Sequence, residues 1–219
     1  MAGTAEGRAA SARPLTIELA DGDPAWGRAD ALLQAGFLLE TRPGASAREF
    51  MREAIGLEED YIEGVVSTVF IDAEPVDDID AATLRPDSLI ALSAAMPGLA
   101  GAVMRRKSPY ASFREAISYA ARAGAGPREE AASGAGMRAG GSSSDARTAG
   151  TTALVRVKLF NSVMRDRGRA TLARGVLAEP GSAAGICAGQ PGAAAAVLAA
   201  AAAGNLLRLR VLAAAGGRR

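Results

Sequence analysis

The chain has 219 residues, a formal net charge of +1, 49% apolar residues and only 4% aromatic ones. It contains no histidine, which removes the commonest general base, the commonest neutral metal ligand and every Ser–His or Cys–His arrangement. Its single cysteine, Cys187, cannot form an internal disulfide and lies in an Ala/Gly-rich run without a neighbouring cation, so it reads as a small apolar residue of a reducing, cytoplasmic compartment.

The near-zero net charge hides a polarity. Residues 1–103 hold 18 Asp/Glu and 7 Lys/Arg, a balance of −11, whereas residues 104–219 hold 6 Asp/Glu and 18 Lys/Arg, a balance of +12. Three readings follow: the basic half docks on the acidic half, within the chain or between copies; it meets nucleic acid; or both halves are simply solvated. The first favours a protein partner or self-association over nucleic acid. No run of about 18 strongly apolar residues is present, so a membrane partner is not expected.

Residues 1–14 carry no apolar segment and read as a disordered leader. Residues 15–20, LTIELA, alternate as a strand and end in the turn-forming Asp21-Gly22-Asp23-Pro24, with Trp26 in the polar loop beyond. Residues 36–42 predict a second strand. Ser46 and Glu49 then match a capping box, opening a helix over 47–55 that Gly56 stops. Glu58, Glu59, Asp60 and Glu63 form an acidic connection to a strand over 65–71, in which Val65, Ser67, Val69 and Ile71 share one face. Asp72, Glu74, Asp77, Asp78 and Asp80 follow, and no Lys or Arg occurs between Glu53 and Leu84. Pro75 and the lack of a central Gly argue against a cation-binding loop here, so the run reads as an acidic face and no metal is expected. Residues 88–93 predict a further strand.

This order of strand, strand, helix, strand, turn-rich connection and strand is that of an α+β protein with a ubiquitin-like β-grasp domain, in which a sheet wraps one helix. The runs FLLETRPGASAREFMREAI and VSTVFIDAEPVDDIDAATLRPDSLIALSAAMPGLAG resemble the second strand, helix, third strand and last strand of the small sulphur carriers of molybdopterin and thiamine synthesis. The resemblance covers residues 15–101. It implies that Pro97, Gly98 and Gly101 stand where those carriers have the start of their reactive Gly-Gly tail, although this chain has Gly-Leu-Ala-Gly there and runs on to Arg219. The Asn-Gly that often turns the carriers' hairpin is Asp72-Ala73 here.

Beyond the domain expected at 15–103, Arg105-Arg106-Lys107 open a basic helix over 104–123. Ser108 and Pro109 cap it, and Tyr110, Phe113, Ile117 and Ala121 form an apolar face expected to pack on the core, with Arg114 and Tyr119 off that stripe. Residues 124–152 read as a flexible Gly/Ser linker, with no phosphate-loop motif. Residues 153–219 form a strand–helix segment with an Ala/Gly-rich tail. ALVRVKLF at 153–160 alternates strongly, and a helix follows over 162–173 that Gly168 is expected to weaken. VRVKLFNSVMRDRG also looks like the carriers' opening strand. Three readings stay open: it completes the sheet after the linker, it starts a truncated second grasp, or the match is chance. The terminal NLLRLRVLAAAGGRR is similar to the Leu-Arg-Leu-Arg tail of ubiquitin, with Gly217 near its end.

The function expected from these residues is a non-catalytic binding or adaptor module, not an enzyme and without a cofactor. An acidic rim of Glu58, Glu59, Asp60, Asp77 and Asp78 would meet a cationic partner or the chain's own Arg105, Arg106, Lys107 and Arg114. Two alternatives are a sulphur-carrier-like or conjugated protein activated at a processed Gly98, Gly101 or Gly217, and an RNA-binding protein using the basic half.

Overall fold

The computed structural model describes residues 14–119, 152–188, 190 and 192–214. Over these residues the chain forms a mixed α/β fold around one eight-stranded sheet. Residues 1–13 of the expected leader, residues 124–151 of the linker expected at 124–152, Ala121 and Gly217 lie outside the described residues.

Strand β1 (Leu15–Leu19) leads into helix α1 (Ala25–Ala35). Trp26 therefore belongs to a helix and not to a loop. The Asp23 carboxylate accepts the Ala25 N–H at 2.8 Å, and Trp26 Nε1 donates to the Ala20 carbonyl at 3.1 Å. Trp26, Ala29, Leu32 and Leu33 then recur at helical spacing and are buried. Strand β2 (Phe37–Thr41) precedes α2, whose α-helical Ala47–Phe50 widens into π-helical Met51–Ile55. The capping box forms: the Ser46 side chain accepts the Glu49 N–H, and Glu49 accepts the Ser46 N–H. Gly56 ends the helix at φ 84°. The acidic connection is itself a short helix, α3 (Glu59–Gly64), and Val65 and Val66, the first residues of the strand expected at 65–71, close its end by donating their N–H groups to the Tyr61 carbonyl. What remains is β3 (Thr68–Ile71), hairpinned to β4 (Glu74–Pro75) through Asp72 and Ala73, both at positive φ. Asp72 holds this turn: its carboxylate accepts the Leu89 N–H at 2.8 Å and the Ser88 hydroxyl at 3.2 Å.

Strand β5 (Leu89–Ser93) is followed by α4 (Gly98–Met104) and a separate 3-10 turn, Ala111–Ile117. These replace the single helix expected over 104–123. After the linker come β6 (Ala153–Leu159), α5 (Asn161–Arg174), β7 (Val176–Ala178), α6 (Pro180–Cys187), α7 (Ala193–Ala203) and β8 (Leu207–Ala213). Helix α5 runs through Gly168 without a break. A Cβ there would lie 2.5 Å from Leu33 Cδ1 of α1, so the glycine marks the close approach of two helices. The Leu-Arg-Leu-Arg stretch is a strand within the sheet, with Leu207, Leu209 and Val211 buried.

The strand order is β1-β8-β7-β2-β6-β5-β3-β4. Strand β6 lies between β2 and β5, antiparallel to the first and parallel to the second, so it completes the sheet after the linker. From the β2–β7 pair outward, the pattern reads the same in both directions. β2 pairs antiparallel with β6, which pairs parallel with β5; β7 pairs antiparallel with β8, which pairs parallel with β1. Leu38 opposite Leu177 marks the centre of this pseudo-twofold arrangement. Arg156 and Arg208 flank the two leucines in the same row.

One face of the sheet builds the core. Phe37, Leu39, Val155, Val157, Ile90, Leu92, Val176, Leu209 and Val211 meet Leu33, Phe50, Met51, Ile55, Val163, Leu172 and Ile186 from the helices in one contiguous cluster. On the other face lie Leu38 and Leu177. Two ion pairs cross the centre there: Glu40 of β2 with Arg208 of β8, and Arg156 of β6 with Glu179 after β7, each at 2.8 Å.

Candidate functional site

The side chains read as an acidic rim and a basic cluster are brought together around α3 and the loop after β4. The organising group is Arg114, which is 2% exposed. Its Nη2 donates to Asp77 Oδ1 at 2.6 Å and to the Arg105 carbonyl at 3.2 Å. Its Nε donates to the Val103 carbonyl at 2.7 Å, and its Nη1 to the Ser118 hydroxyl at 2.8 Å. A guanidinium with five donors in a fixed plane can satisfy these partners together, which a lysine cannot. Arg114 thus ties the 3-10 turn both to α4 and to the acidic rim.

Arg106 is the second anchor. It is 7% exposed, and its Nε and Nη2 donate to the carbonyls of Val66 at 3.1 Å and Ile62 at 3.0 Å, near the C-terminal end of α3. A cation there completes the carbonyls that a helix end leaves open and meets the negative end of its dipole. Its Nη1 is buried without a protein partner. Burial pulls the Arg106 pKa down, while Glu63 and Asp77 oppose that shift. Lys107 closes the cluster: its N–H donates to Asp77 at 3.2 Å and its Nζ to Glu63 at 3.3 Å.

The remaining acids are also engaged. Arg48 of α2 reaches Asp80 at 2.5 Å, Glu63 at 2.6 Å and Glu59. These carboxylates raise its pKa, Asp80 foremost, against the opposing effect of burial. Arg48 and then Lys107 hold Glu63 below the ordinary carboxylate range. Glu58 pairs with Arg167 of α5 at 2.9 Å. Arg167 also stacks over the Tyr61 ring, at 4.2 Å from its centroid, and Tyr61 donates to Asp166 at 3.1 Å. Burial and then the Asp166 contact push the Tyr61 phenol up to about 12. Asp78 accepts the N–H groups of Asp80 and Ala81, each at 3.0 Å, and so serves its own turn. Asp60 and Arg105 remain exposed.

The aromatic face is a correction. The sequence predicts that Tyr110, Phe113 and Ile117 pack on the core, yet all three are exposed, Phe113 at 79%. Tyr110 and Phe113 stack on each other with centroids 6.4 Å apart. Leu99 of α4 is likewise exposed, at 74%. The residues off the stripe do the anchoring instead: Arg114 as above, and Tyr119, whose N–H donates to the Pro75 carbonyl at 2.9 Å and whose hydroxyl donates to that of Thr83 at 3.1 Å. The chain folds here as a 3-10 turn rather than an α-helix, so helical spacing does not describe which side faces inward.

Gly98 opens α4 at φ 77°, and Gly101 is buried within it, where a Cβ would collide with the Met96 backbone carbonyl. Cys187 is buried, and desolvation pushes its thiol pKa up. Among the described residues no group of three Cys, Asp or Glu side chains is placed to hold a metal ion, and no helix is long and apolar enough to cross a membrane. No family model, no curated protein and no solved structure matches the chain.

Proposed function

We propose that the protein is a non-catalytic binding module built on a β-grasp, whose acidic rim receives a cationic segment, and that residues 104–119 fill that place in cis. The order β2-β6-β5-β3-β4, with α2 packed on its core face, supports the β-grasp reading, with β6 in the position of the first strand. One observation carries the functional reading: Arg114 is buried against Asp77 while Asp77 itself remains half-exposed. The rim is thereby occupied by a cation delivered from a neighbouring segment, and the same clamp holds Leu99, Tyr110 and Phe113 out to solvent. Exposed apolar side chains on a firmly tied turn have the character of a contact surface for another protein.

The clamp is tested by competition with a hexa-arginine peptide, followed by calorimetry. The wild-type rim is expected to bind it weakly. The Arg114→Ala/Lys107→Ala variant removes one side-chain cation each from Asp77 and Glu63, leaving Arg48 on Glu63, and is expected to bind at least about tenfold tighter, with salt weakening the gain. Equal affinity for both proteins would show that the rim is not held in cis and would overturn the proposal.

A further inference from the structure

The two edges of the sheet differ in how they are protected. At one edge, β4 is two residues long and ends in Pro75, whose carbonyl is taken by Tyr119 N–H. Short length and proline are the usual devices that stop a sheet from growing. At the other edge, β1 is five residues long, has no proline within it, and pairs only with β8 among the described residues. The pseudo-twofold pattern sharpens the contrast. β5, the counterpart of β1, carries the antiparallel strand β3 on its outer side, whereas β1 carries no described strand on its own.

The backbone of β1 also shows which groups face outward. The Leu19 carbonyl accepts the Ala214 N–H on the β8 side. Successive residues of a strand turn their N–H and C=O groups to opposite sides, so those of Thr16 and Glu18 point away from the sheet. The Glu18 side chain makes no hydrogen bond or ion pair with any described residue.

We propose that β1 pairs antiparallel with β1 of a second copy, joining two sheets into one across a twofold axis at Ile17. Only registers that set outward-facing residues opposite each other are allowed. Centred on Thr16, the pairing puts Pro14, which has no N–H, opposite Glu18. Centred on Glu18, it puts the two carboxylates face to face. Centred on Ile17, it puts Thr16 opposite Glu18 twice, forms the backbone bonds of both pairs, and keeps Leu15, Ile17 and Leu19 on the core side. In this register the side chains of Arg210, Thr16 and Glu18 of the partner subunit lie in one row on the open face, since Thr16 already pairs with Arg210. The short threonine leaves room for the guanidinium to approach the unpartnered carboxylate, so the joint is complementary in charge as well as in backbone.

Sedimentation velocity of the full chain over a wide concentration range tests this. The expected result is a monomer–dimer equilibrium. Glu18→Pro removes an outward N–H without touching the bonds to β8, and Glu18→Lys sets a cation in the row of Arg210; each should raise the dissociation constant at least about tenfold while circular dichroism stays unchanged. The Thr16→Cys/Glu18→Cys double variant should form intermolecular disulfides on oxidation, because directly opposed residues are close enough to bridge and Cys187 is buried. A chain that stays monomeric at all concentrations, a dimer indifferent to both Glu18 variants, or a double variant that does not cross-link would each overturn the proposal.

Discussion

The two halves of the sheet repeat one pairing pattern with different materials. In the half that holds β6, the helical roof includes α2 and α3, whose Phe50, Met51, Ile55 and Ile62 are large and fully enclosed. In the half that holds β8, it includes α6 and α7, which contribute Ala183, Ile186, Cys187, Ala193 and Val197. The second roof removes less apolar area per residue from water, and apolar area is what stabilises the packing. It also leaves Leu198 exposed at 70%. Among the described residues, the buried guanidiniums, Arg106 and Arg114, both lie in the first half. Similar strand pairing therefore does not require equal burial: the weaker half is carried by sharing α1, α5 and one continuous core with the stronger.

The largest expected effect comes from breaking the stronger roof. Phe50→Ala should cost about 3–5 kcal/mol, as for other fully buried aromatic residues, and Ile186→Ala about 2–4 kcal/mol. Denaturant unfolding measures both. If the two halves are one cooperative unit, each variant shifts the single transition; a separate early transition confined to Ile186→Ala would show that the second half unfolds by itself.

Acid provides a smaller, one-sided probe. Glu49 is held below the usual 4.5 by the Ser46 N–H and then by Arg42, and Glu63 by Arg48 and Lys107. Both lie in the first half. A folded-state pKa below the unfolded value gives stability that is present in full above the unfolded value and is lost as pH falls through the folded one. Hydrogen exchange at falling pH should therefore show α2 and α3 losing protection, and Glu49→Gln with Glu63→Gln should flatten that dependence.

The smallest effect tests the symmetry itself. Glu40–Arg208 and Glu179–Arg156 are part-exposed pairs of equal length crossing the same centre. A double-mutant cycle on each, to Gln, should give a coupling of about 0.2–1 kcal/mol, similar for the two. A coupling confined to one pair would show that the repeat is geometric and not energetic.

Much of the first half was legible in the sequence. Ser46 and Glu49 announced its helix cap, alternation announced β6 and, outside that half, β1, and an apolar run bounded by turn residues announced β5, because these signals are local. Helix α1 was missed although Trp26, Ala29, Leu32 and Leu33 carry its period; the turn residues before it masked the start. The strand repeat was also within reach: Gly-Phe-Leu-Leu-Glu at 36–40 and Gly-Val-Leu-Ala-Glu at 175–179 share a pattern, each shortly before a Pro-Gly. At the candidate site, the charge polarity left docking of the basic half on the acidic half as one of three readings and did not say which residues would meet.

What the sequence determined by itself was therefore local: which residues cap, which alternate, and which sign of charge each half carries. Only the tertiary structure decided that β6 enters between β2 and β5, that Arg106 and Arg114 are buried anchors while Phe113 is exposed, and that, among the described residues, one sheet edge is blunted and the other carries no further strand. The physical reason is that strand pairing and ion pairing are made between residues far apart along the chain. Their partners are selected by the closure of the whole core, and a local pattern specifies what a segment can pair with without specifying which partner it finds.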